Sequence, residues 1–308
     1  MLTWQMKKPV AFFVFNRPDT TQRVFNSIRE ARPQILLLIA DGPRDSHPAD
    51  AGRCAAVRAV VDRVDWPCQV VKNYSDTNLG CRRRLSSGLD WVFTTVEEAI
   101  ILEDDCLPHP TFFRFCEELL DRYRGDERVM MISGDNFQFG RNHTGHSYYF
   151  SRYTHIWGWA TWRRAWRCYD VDMKQWLAIR TSTWLRDLLG DPSAIRSWNK
   201  IFDEVTAGKI DTWDYQWTFA CWLHNGLAAL PNVNLVSNIG FHEGATHTAK
   251  NGLYGAMKVE PMLFPLVHPH TVVRHHDADT YTQTTHVSPG FVRRIMRKLK
   301  AFYLRTRP

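Results

Sequence analysis

Short apolar runs alternate with stretches of helical periodicity through the first half of the chain. The runs are continuous, which is typical of strands buried on both faces of a parallel sheet. They lie at residues 9–16, 35–40, 68–72, 99–102 and 129–133. Helical patterns lie between them, after residue 17, over 55–64, up to about residue 94 and over 111–124. The alternation predicts an α/β fold with a mixed, mostly parallel sheet flanked by helices.

The second half of the chain is less regular and rich in tryptophan. Residues 141–150 are predicted to form a mobile loop, and a strand-like run covers 227–239. The tryptophans of this half are Trp157, Trp159, Trp162, Trp166, Trp176, Trp184, Trp198, Trp213, Trp217 and Trp222. Most of these large rings are expected in the hydrophobic core, where aromatic side chains contribute most to packing.

Composition and cysteine usage are those of an ordinary globular protein. Of the 308 residues, 44% are apolar and 23% are charged, close to average values. The seven cysteines are odd in number and none has C-x-x-C spacing, which argues against a zinc site or a disulfide framework. No charged-then-apolar leader and no apolar run of membrane-spanning length is evident. A cytoplasmic protein is therefore expected.

The net charge of +7 comes from one end of the chain. Residues 291–308 hold seven Lys or Arg and no acid, so the remainder balances. A neutral body argues against a nucleic-acid-binding face. Apolar residues repeat at helical spacing among the basic ones in this tail, as in helices that lie on anionic membranes. We expect a basic amphipathic helix, peripheral on the inner membrane face, with docking on the protein or a partner chain as the alternative.

An acidic triplet follows the apolar run at 99–102. Glu103, Asp104 and Asp105 lie at the carboxyl end of this predicted strand, where ligands bind in parallel α/β sheets. Carboxylate oxygens are hard ligands that suit Mg²⁺ or Mn²⁺ carrying a phosphate. The alternative is a solvated acidic turn.

Other predicted strand ends also carry polar groups. Arg17 follows the first strand, Asp41 follows the second, and the basic run 82–84 opens a helix. Because the ends of parallel strands converge on one edge, these groups together match a nucleoside diphosphate: carboxylates for ribose, base and metal, and Arg82 and Arg83 for phosphate. Taken singly, Asp41 could equally be a turn residue, and the arginines a solvated helix face.

With these segments in place, the sequence resembles the GT-A-fold glycosyltransferases, and among them N-acetylglucosaminyltransferase I and related bacterial sugar transferases. The matching segments, PVAFFVFNR, LLLIADG, AIILEDD, PTFFRFCEELL, MMISGDN, IWGWATW and TWDYQW, span about residues 9–245. The resemblance implies a Rossmann-like GT-A domain over 1–280. Its nucleotide-binding half would cover about 9–135 and its acceptor half about 136–280, with a linker and the basic tail over 281–308.

The resemblance also implies roles for individual residues. Asp105 would coordinate Mn²⁺, or Mg²⁺, on the donor diphosphate, and Asp104 would hold the donor ribose or sugar, beside Glu103. Asp41 would face the base, uracil by expectation, with Arg17 next to it. Asp214 in TWDYQW would be the general base of an inverting transfer. The related enzymes carry two adjacent aspartates where this chain has one, so Asp211 is the reserve candidate.

Two further groups are candidates for contacts to substrates. His242 and His247 lie in the segment HEGATH, whose spacing of five does not place both on one helix face. This segment is expected to be a loop over the diphosphate, with either histidine as a phosphate or metal contact, or a purely structural loop. Trp157 and Trp213 are the candidates for walls of the acceptor sugar site.

The expected function is therefore metal-dependent, inverting transfer of a sugar from a UDP-sugar to a glycan or lipid-linked hydroxyl group. A nucleotidylyltransferase is the enzymatic alternative, but these enzymes carry a Gly-rich basic loop after the first strand, which FNRPDTT lacks. A catalytically silent carbohydrate-binding or scaffold protein is the other alternative. The presence of Asp105 and Asp214 argues against silence.

Overall fold

The computed structural model describes residues 4–240 and 257–287. The ten strands in this part of the chain are β1 (Val10–Val14), β2 (Ile35–Ala40), β3 (Gln69–Tyr74), β4 (Glu98–Glu103), β5 (Cys106–Pro108), β6 (Val129–Ser133), β7 (Tyr148–Ser151), β8 (Trp159–Trp162), β9 (Leu227–Pro231) and β10 (Val236–Asn238). Its ten α-helices are α1 (Pro18–Ala31), α2 (Ala49–Val61), α3 (Gly80–Thr95), α4 (Thr111–Arg122), α5 (Arg163–Trp166), α6 (Lys174–Ile179), α7 (Trp184–Leu189), α8 (Pro192–Thr206), α9 (Asp214–Leu223) and α10 (His276–Thr282). A π-helical turn at Gln283–Val287 follows α10.

Eight strands form one sheet in the order β3-β2-β1-β4-β8-β6-β9-β7. Strand β1 pairs in parallel with β2 and β4, whereas β8 is antiparallel to both β4 and β6. Strand β7 runs antiparallel to β9 at the edge. Six strands thus point the same way, so the prediction of an α/β fold with a mixed, mostly parallel sheet is confirmed. This is the Rossmann-like arrangement expected of a GT-A fold.

Helices cover both faces of the sheet, which is why β1, β2 and β4 are continuous apolar runs. Alternate side chains of a strand point to opposite faces. Phe12 packs in a core cluster with Val24 of α1, and Phe13 packs in a second cluster with Leu89 of α3. Burial on both sides fixes the register of these central strands, and with it the position of the loops at their carboxyl ends.

A two-stranded antiparallel ribbon of β5 and β10 lies beside the acidic triplet. Asn238 is paired with Cys106, and the Ile239 backbone N–H donates to the Asp105 carbonyl oxygen at 2.8 Å. The ribbon therefore connects the end of β4 to a segment more than 130 residues later in the chain, and it brings Asn238 and Gly240 to the acids.

The tryptophan-rich half packs mainly as core, as predicted. The largest fully buried side chains include Trp159, Trp162, Trp176, Trp213, Trp217 and Trp222. A third cluster joins α8 and α9, with Trp198 and Phe202 on α8 in contact with Trp222 on α9. These rings form the core of the second half of the chain, between α8 and α9.

Several predicted boundaries differ from the structure. The mobile loop predicted for 141–150 ends at Tyr148, where β7 begins, because the edge strand gains its hydrogen bonds from β9. Helix α2 begins at Ala49 rather than residue 55. The linker expected from 281 is part of the fold up to Val287, since Gln283 is buried and accepts hydrogen bonds from Tyr153 and Trp198. The basic tail lies outside the described residues.

No helix in the described part of the chain is both long and apolar enough to span a membrane.

Candidate active site

The acidic triplet faces Arg17 across the ends of two neighbouring strands. Arg17 follows β1 and is held where α1 begins. Its guanidinium nitrogens lie 2.7 Å from Asp105 Oδ2 and 3.2 Å from Asp104 Oδ1. Asp104 is buried and also accepts the Phe15 backbone N–H at 3.0 Å. The structure therefore brings Arg17, Asp104 and Asp105 together at one edge of the sheet, and it pairs Arg17 with these two acids, whereas the sequence placed it beside Asp41.

One arginine does not neutralise this cluster. Burial, together with the nearby carboxylates of Asp105 and Asp104, raises the pKa of Glu103 to about 8. Burial likewise raises the pKa of Asp104 to about 6, against the opposing effect of Arg17. Burial alone would lower the pKa of the Arg17 guanidinium, but Asp104 and Asp105 outweigh it and raise that pKa. The site has an excess of carboxyl groups that a cation would compensate.

Asp41 lies at the same edge, but its carboxylate is already hydrogen-bonded to neighbouring groups of the protein. Its carboxylate accepts hydrogen bonds from the backbone N–H groups of Gly42, Leu79 and Gly80 and from the Asn78 amide, at distances of 2.9–3.2 Å. Burial raises its pKa, and these donors oppose that rise. This geometry favours the turn interpretation, in which Asp41 fixes the loop that opens α3, over contact with a base.

The three arginines at the start of α3 point in different directions. Arg82 donates to the Val171 carbonyl oxygen at 2.6 Å, and Arg83 is exposed; neither lines the cleft. Arg84 is buried, donates to Asn73 and lines the cleft near Asp41. Consecutive helix positions are separated by about 100° of rotation, so only one of the three reaches the site, and it is not one of the two predicted.

Both candidate bases line the same cleft as the triplet. Asp214 is the first residue of α9, and its carboxylate accepts the Thr212 hydroxyl group. Asp211 is exposed on the loop before it. A cavity of about 340 Å³ is lined by both aspartates together with Glu103 and Asp105. The structure thus joins the triplet to the TWDYQW segment, although they are separated by about a hundred residues.

The two tryptophans proposed as sugar-site walls have different positions. Trp157 is half-buried and lines every cavity of the cleft that Asp214 lines. Trp213 is only 2% exposed and stacks on Trp159 with ring centroids 5.5 Å apart. Trp213 nevertheless lines the acidic cavity with Asp105 and Asp214, and its contact with the acceptor sugar stays a prediction.

The cleft is large and continuous on both sides of Trp157. On the Arg17 side it has a volume of about 750 Å³ and is lined by six carboxyl and three guanidinium groups: Asp41, Glu103, Asp104, Asp105, Asp211 and Asp214, with Arg17, Arg44 and Arg84. Arg44 stacks over the Phe15 ring at 5.3 Å. On the other side is an aromatic cavity of about 420 Å³. Volumes of this order are usual for small-molecule sites.

The residues present fit a divalent cation held jointly with a phosphate. Among the described residues, no group of three or more His, Cys, Asp or Glu side chains is placed to hold a metal alone. Mg²⁺ sites commonly use one or two carboxylates plus substrate phosphates and waters. Asp105 and Glu103 supply such oxygens, and a cation beside them would offset the mutual repulsion of the neighbouring carboxyl groups that raises the pKa of Glu103. His242 and His247 lie outside the described residues.

Comparisons with known proteins give distant matches only. No family model and no curated protein matches this chain. A solved mannosyltransferase, PcManGT from Pyrobaculum calidifontis in complex with GDP-Man and Mn²⁺, is 11% identical, with 71% of this chain and 70% of that chain covered and a TM-score of 0.36. A UDP-glucose pyrophosphorylase complexed with UDP-glucose is 11% identical over 47% of this chain and 62% of that chain, with a TM-score of 0.27. Similarity at this level carries no activity over to this chain.

The structure adds site residues that the sequence did not indicate. Phe15, Arg44 and Asn238 line the cleft, and a side chain at Gly240 would collide with Asp105 and Arg17. Arg44 and Phe15 were detectable in principle, because they flank the ends of β2 and β1. Asn238 and Gly240 were not, because nothing in the sequence pairs β10 with β5.

Proposed function

We propose that this protein is a glycosyltransferase that moves a sugar from a nucleotide-diphosphate sugar, a UDP-sugar by our inference, to a hydroxyl group of a glycan or lipid-linked acceptor. The observation that carries the proposal is a single cleft. It combines an arginine-bound acidic cluster at the carboxyl ends of β1 and β4 with a second aspartate, Asp214, on the helix α9 opposite. A donor and an acceptor can thus meet between two sets of carboxyl groups.

The Arg17 side of the cleft suits the nucleotide. Arg84 and Arg44 line it and offer guanidinium donors for phosphate or ribose oxygens. The Phe15 ring, with Arg44 stacked over it, gives a flat surface near the end of β1. The acids beside Arg17 would hold the donor sugar or ribose through Asp104 and a divalent cation through Asp105 and Glu103. When bound, that cation would offset the negative charge that builds on the leaving diphosphate.

The opposite side of the cleft suits proton removal from the acceptor. In a single displacement, the acceptor oxygen attacks the anomeric carbon as the bond to the diphosphate oxygen breaks. The acceptor hydroxyl proton passes to a carboxylate within hydrogen-bond reach. We assign this role to Asp214, whose position is fixed by Thr212 and by the start of α9. The configuration of the sugar would then be inverted.

Product analysis tests this proposal. The full chain is incubated with a panel of UDP- and GDP-sugars and Mn²⁺, and released nucleotides are measured by chromatography. A glycosyltransferase releases the nucleoside diphosphate, through slow hydrolysis even without an acceptor. A nucleotidylyltransferase given pyrophosphate instead forms the nucleoside triphosphate. Triphosphate formation, or no turnover and no binding of any nucleotide sugar, would contradict the proposal.

A further inference from the structure

Two residues that line the aromatic cavity beyond Trp157 each have a buried polar atom that makes no hydrogen bond within the described structure. Asp135 Oδ1 and His155 Nε2 are fully shielded from solvent and have no hydrogen-bond partner among the described residues. Asp135 is 0% exposed and His155 is 9% exposed, and both side chains line the cavity. An unpaired buried polar atom costs about 1–3 kcal/mol, so native proteins rarely retain one without a purpose.

Both groups are held in place by contacts that do not involve Asp135 Oδ1 or His155 Nε2. The other carboxyl oxygen of Asp135, Oδ2, accepts the Trp157 backbone N–H at 2.8 Å. The His155 ring packs edge-on against Phe137 with centroids 4.5 Å apart. Asp135 follows β6, the strand next to β8 in the central sheet. The two polar groups therefore project from rigid parts of the molecule, as a preformed binding site requires.

We propose that this cavity binds an uncharged sugar ring of the acceptor, with its hydroxyl groups paired to Asp135 and His155. The inference rests on the proposed function, because it names the acceptor chemistry of the same cleft. Asp214, Tyr215 and Trp157 line both this cavity and the acidic cavity. A ring placed here presents a hydroxyl group towards Asp214.

The lining disfavours anionic and purely apolar occupants. Among the described residues that line the cavity there is no Lys or Arg, whereas Asp214 is an acid, so a buried phosphate or carboxylate would lack a permanent counter-charge, which is costly. Burial lowers the pKa of His155 to about 3, so its imidazole is neutral near pH 7, and burial raises the pKa of the Asp135 carboxyl group well above its ordinary value. An alkyl chain would leave both polar atoms unpaired.

The aromatic walls of the cavity match the apolar face of a sugar ring. Phe137, Tyr153, Trp198 and Tyr215 surround it together with Trp157. A pyranose ring has an apolar C–H face that packs on flat aromatic rings, and a rim of hydroxyl groups that needs donors and acceptors. The neutral imidazole of His155 and the carboxyl group of Asp135 can each supply such a partner.

Ligand-observed NMR on the full chain tests the proposal. The probes are methyl glycosides of glucose, galactose, mannose and N-acetylglucosamine, compared with methyl glucuronide, inorganic phosphate and 1-hexanol. We expect at least one neutral glycoside to bind, and the charged probes and the alcohol to bind at least about tenfold more weakly. His155→Phe and Asp135→Leu should each weaken glycoside binding about five- to tenfold, the scale of one hydrogen bond.

Matched variants separate a binding role from a structural one. Asp135→Asn keeps an acceptor for Trp157 and a donor towards the cavity, so it should retain binding. Tyr149→Phe removes a buried hydroxyl group outside the cavity and should leave glycoside binding unchanged. His155→Phe breaks no bond within the described structure, so its melting temperature should stay equal or rise, which keeps the test valid if Asp135→Leu fails to fold.

Several results would overturn the inference. They are absence of binding by every neutral glycoside, equal binding by glucuronide, phosphate or hexanol, and unchanged binding in His155→Phe. UDP binding in the presence of Mn²⁺ is measured on the same samples. In the wild type, absence of glycoside binding with intact UDP binding refutes this inference alone, and glycoside binding without UDP binding refutes the proposed donor function alone.

Discussion

At the scale of single residues, Asp214 makes hydrogen bonds at the start of α9 and is also the proposed general base. Its carboxylate accepts the Thr212 hydroxyl group at the start of α9, and its backbone carbonyl accepts Thr218. An asparagine can still accept the Thr212 hydroxyl through its side-chain oxygen, but it is a much weaker base than a carboxylate. The substitution therefore separates the two roles.

We predict that Asp214→Asn keeps the melting temperature and the donor affinity of the wild type, while turnover falls by about 10²-fold or more, the usual scale for loss of a general base. Steady-state kinetics with a UDP-sugar check this. Asp211→Asn is the matched control, because Asp211 is exposed nearby. If turnover is lost in Asp211→Asn but kept in Asp214→Asn, the base is Asp211. If both stay active, the single displacement is wrong.

His155 provides a prediction about pH and stability. Burial lowers its pKa from 6.5 to about 3, so below pH 6.5 the unfolded chain takes up a proton that the folded chain refuses, and stability is lost as the pH falls. Between pH 7 and pH 5 this amounts to about 2 kcal/mol. Denaturant unfolding at both pH values should show a smaller loss in His155→Phe than in the wild type. An equal loss of stability in both proteins would show that His155 is not the group whose lowered pKa causes it.

The residues that sequence reasoning identified were those that follow buried strands or lie in a recognisable segment. Glu103, Asp104 and Arg17 are of this kind, since strand direction alone carries them to one edge. Arg84 was not singled out from Arg82 and Arg83, because the residue of α3 that faces the cleft depends on how the helix packs. That is decided by tertiary packing rather than by local pattern.

At the scale of elements, the loop that opens α3 depends on one carboxylate. Asp41 receives three backbone N–H groups and the Asn78 amide, and its removal leaves these donors without an acceptor. A side chain at Gly42 would meet the Thr77 backbone at 2.5 Å, so the two loops approach closely. The Arg17 side of the cleft, which Asp41 and Asn78 line, therefore depends on this contact for its shape.

We predict that Asp41→Ala lowers the free energy of unfolding by about 2–3 kcal/mol, the cost of several unsatisfied donors, and weakens nucleotide binding as well. Denaturant titration and UDP calorimetry measure the two effects. Asp76→Ala is the control, since Asp76 is an exposed acid on the adjoining segment. Unchanged stability with lost UDP affinity would instead favour direct contact between Asp41 and the base.

The elements that the sequence predicted well are β1 to β4 and the helices that flank them, because continuous apolar runs and helical periodicity are strong local signals. The ribbon of β5 and β10 and strands β7 and β8 were not predicted as strands in this arrangement. They are three or four residues long and antiparallel, and such strands owe their existence to distant partners.

At the scale of the whole molecule, the sheet does not divide at the boundary of the two expected halves. Strand β8, from the second half, lies between β4 and β6 of the first. The two halves of the chain therefore share one sheet. The basic tail, by contrast, is known here only from its sequence.

For that tail, we predict that deletion of residues 289–308 releases the protein from vesicles containing anionic lipid while turnover on a soluble acceptor is preserved. The seven basic residues interleaved with an apolar stripe are the reason. Sedimentation with anionic vesicles measures this, and neutral vesicles are the control. Equal sedimentation of the truncated and full-length chains would rule out membrane binding through the tail.

The binding of UDP to the acidic cluster is the most direct test of the proposed function. Isothermal titration with and without Mn²⁺ is performed on the wild type and on Asp105→Ala. We predict that Mn²⁺ strengthens UDP binding to the wild type, and that Asp105→Ala lowers the Mn²⁺-dependent affinity by more than about tenfold, since loss of residues that merely orient a metal ligand already costs that much. UDP affinity in Asp105→Ala that still rises with Mn²⁺ as in the wild type would contradict the assignment of this cleft as a nucleotide-sugar site.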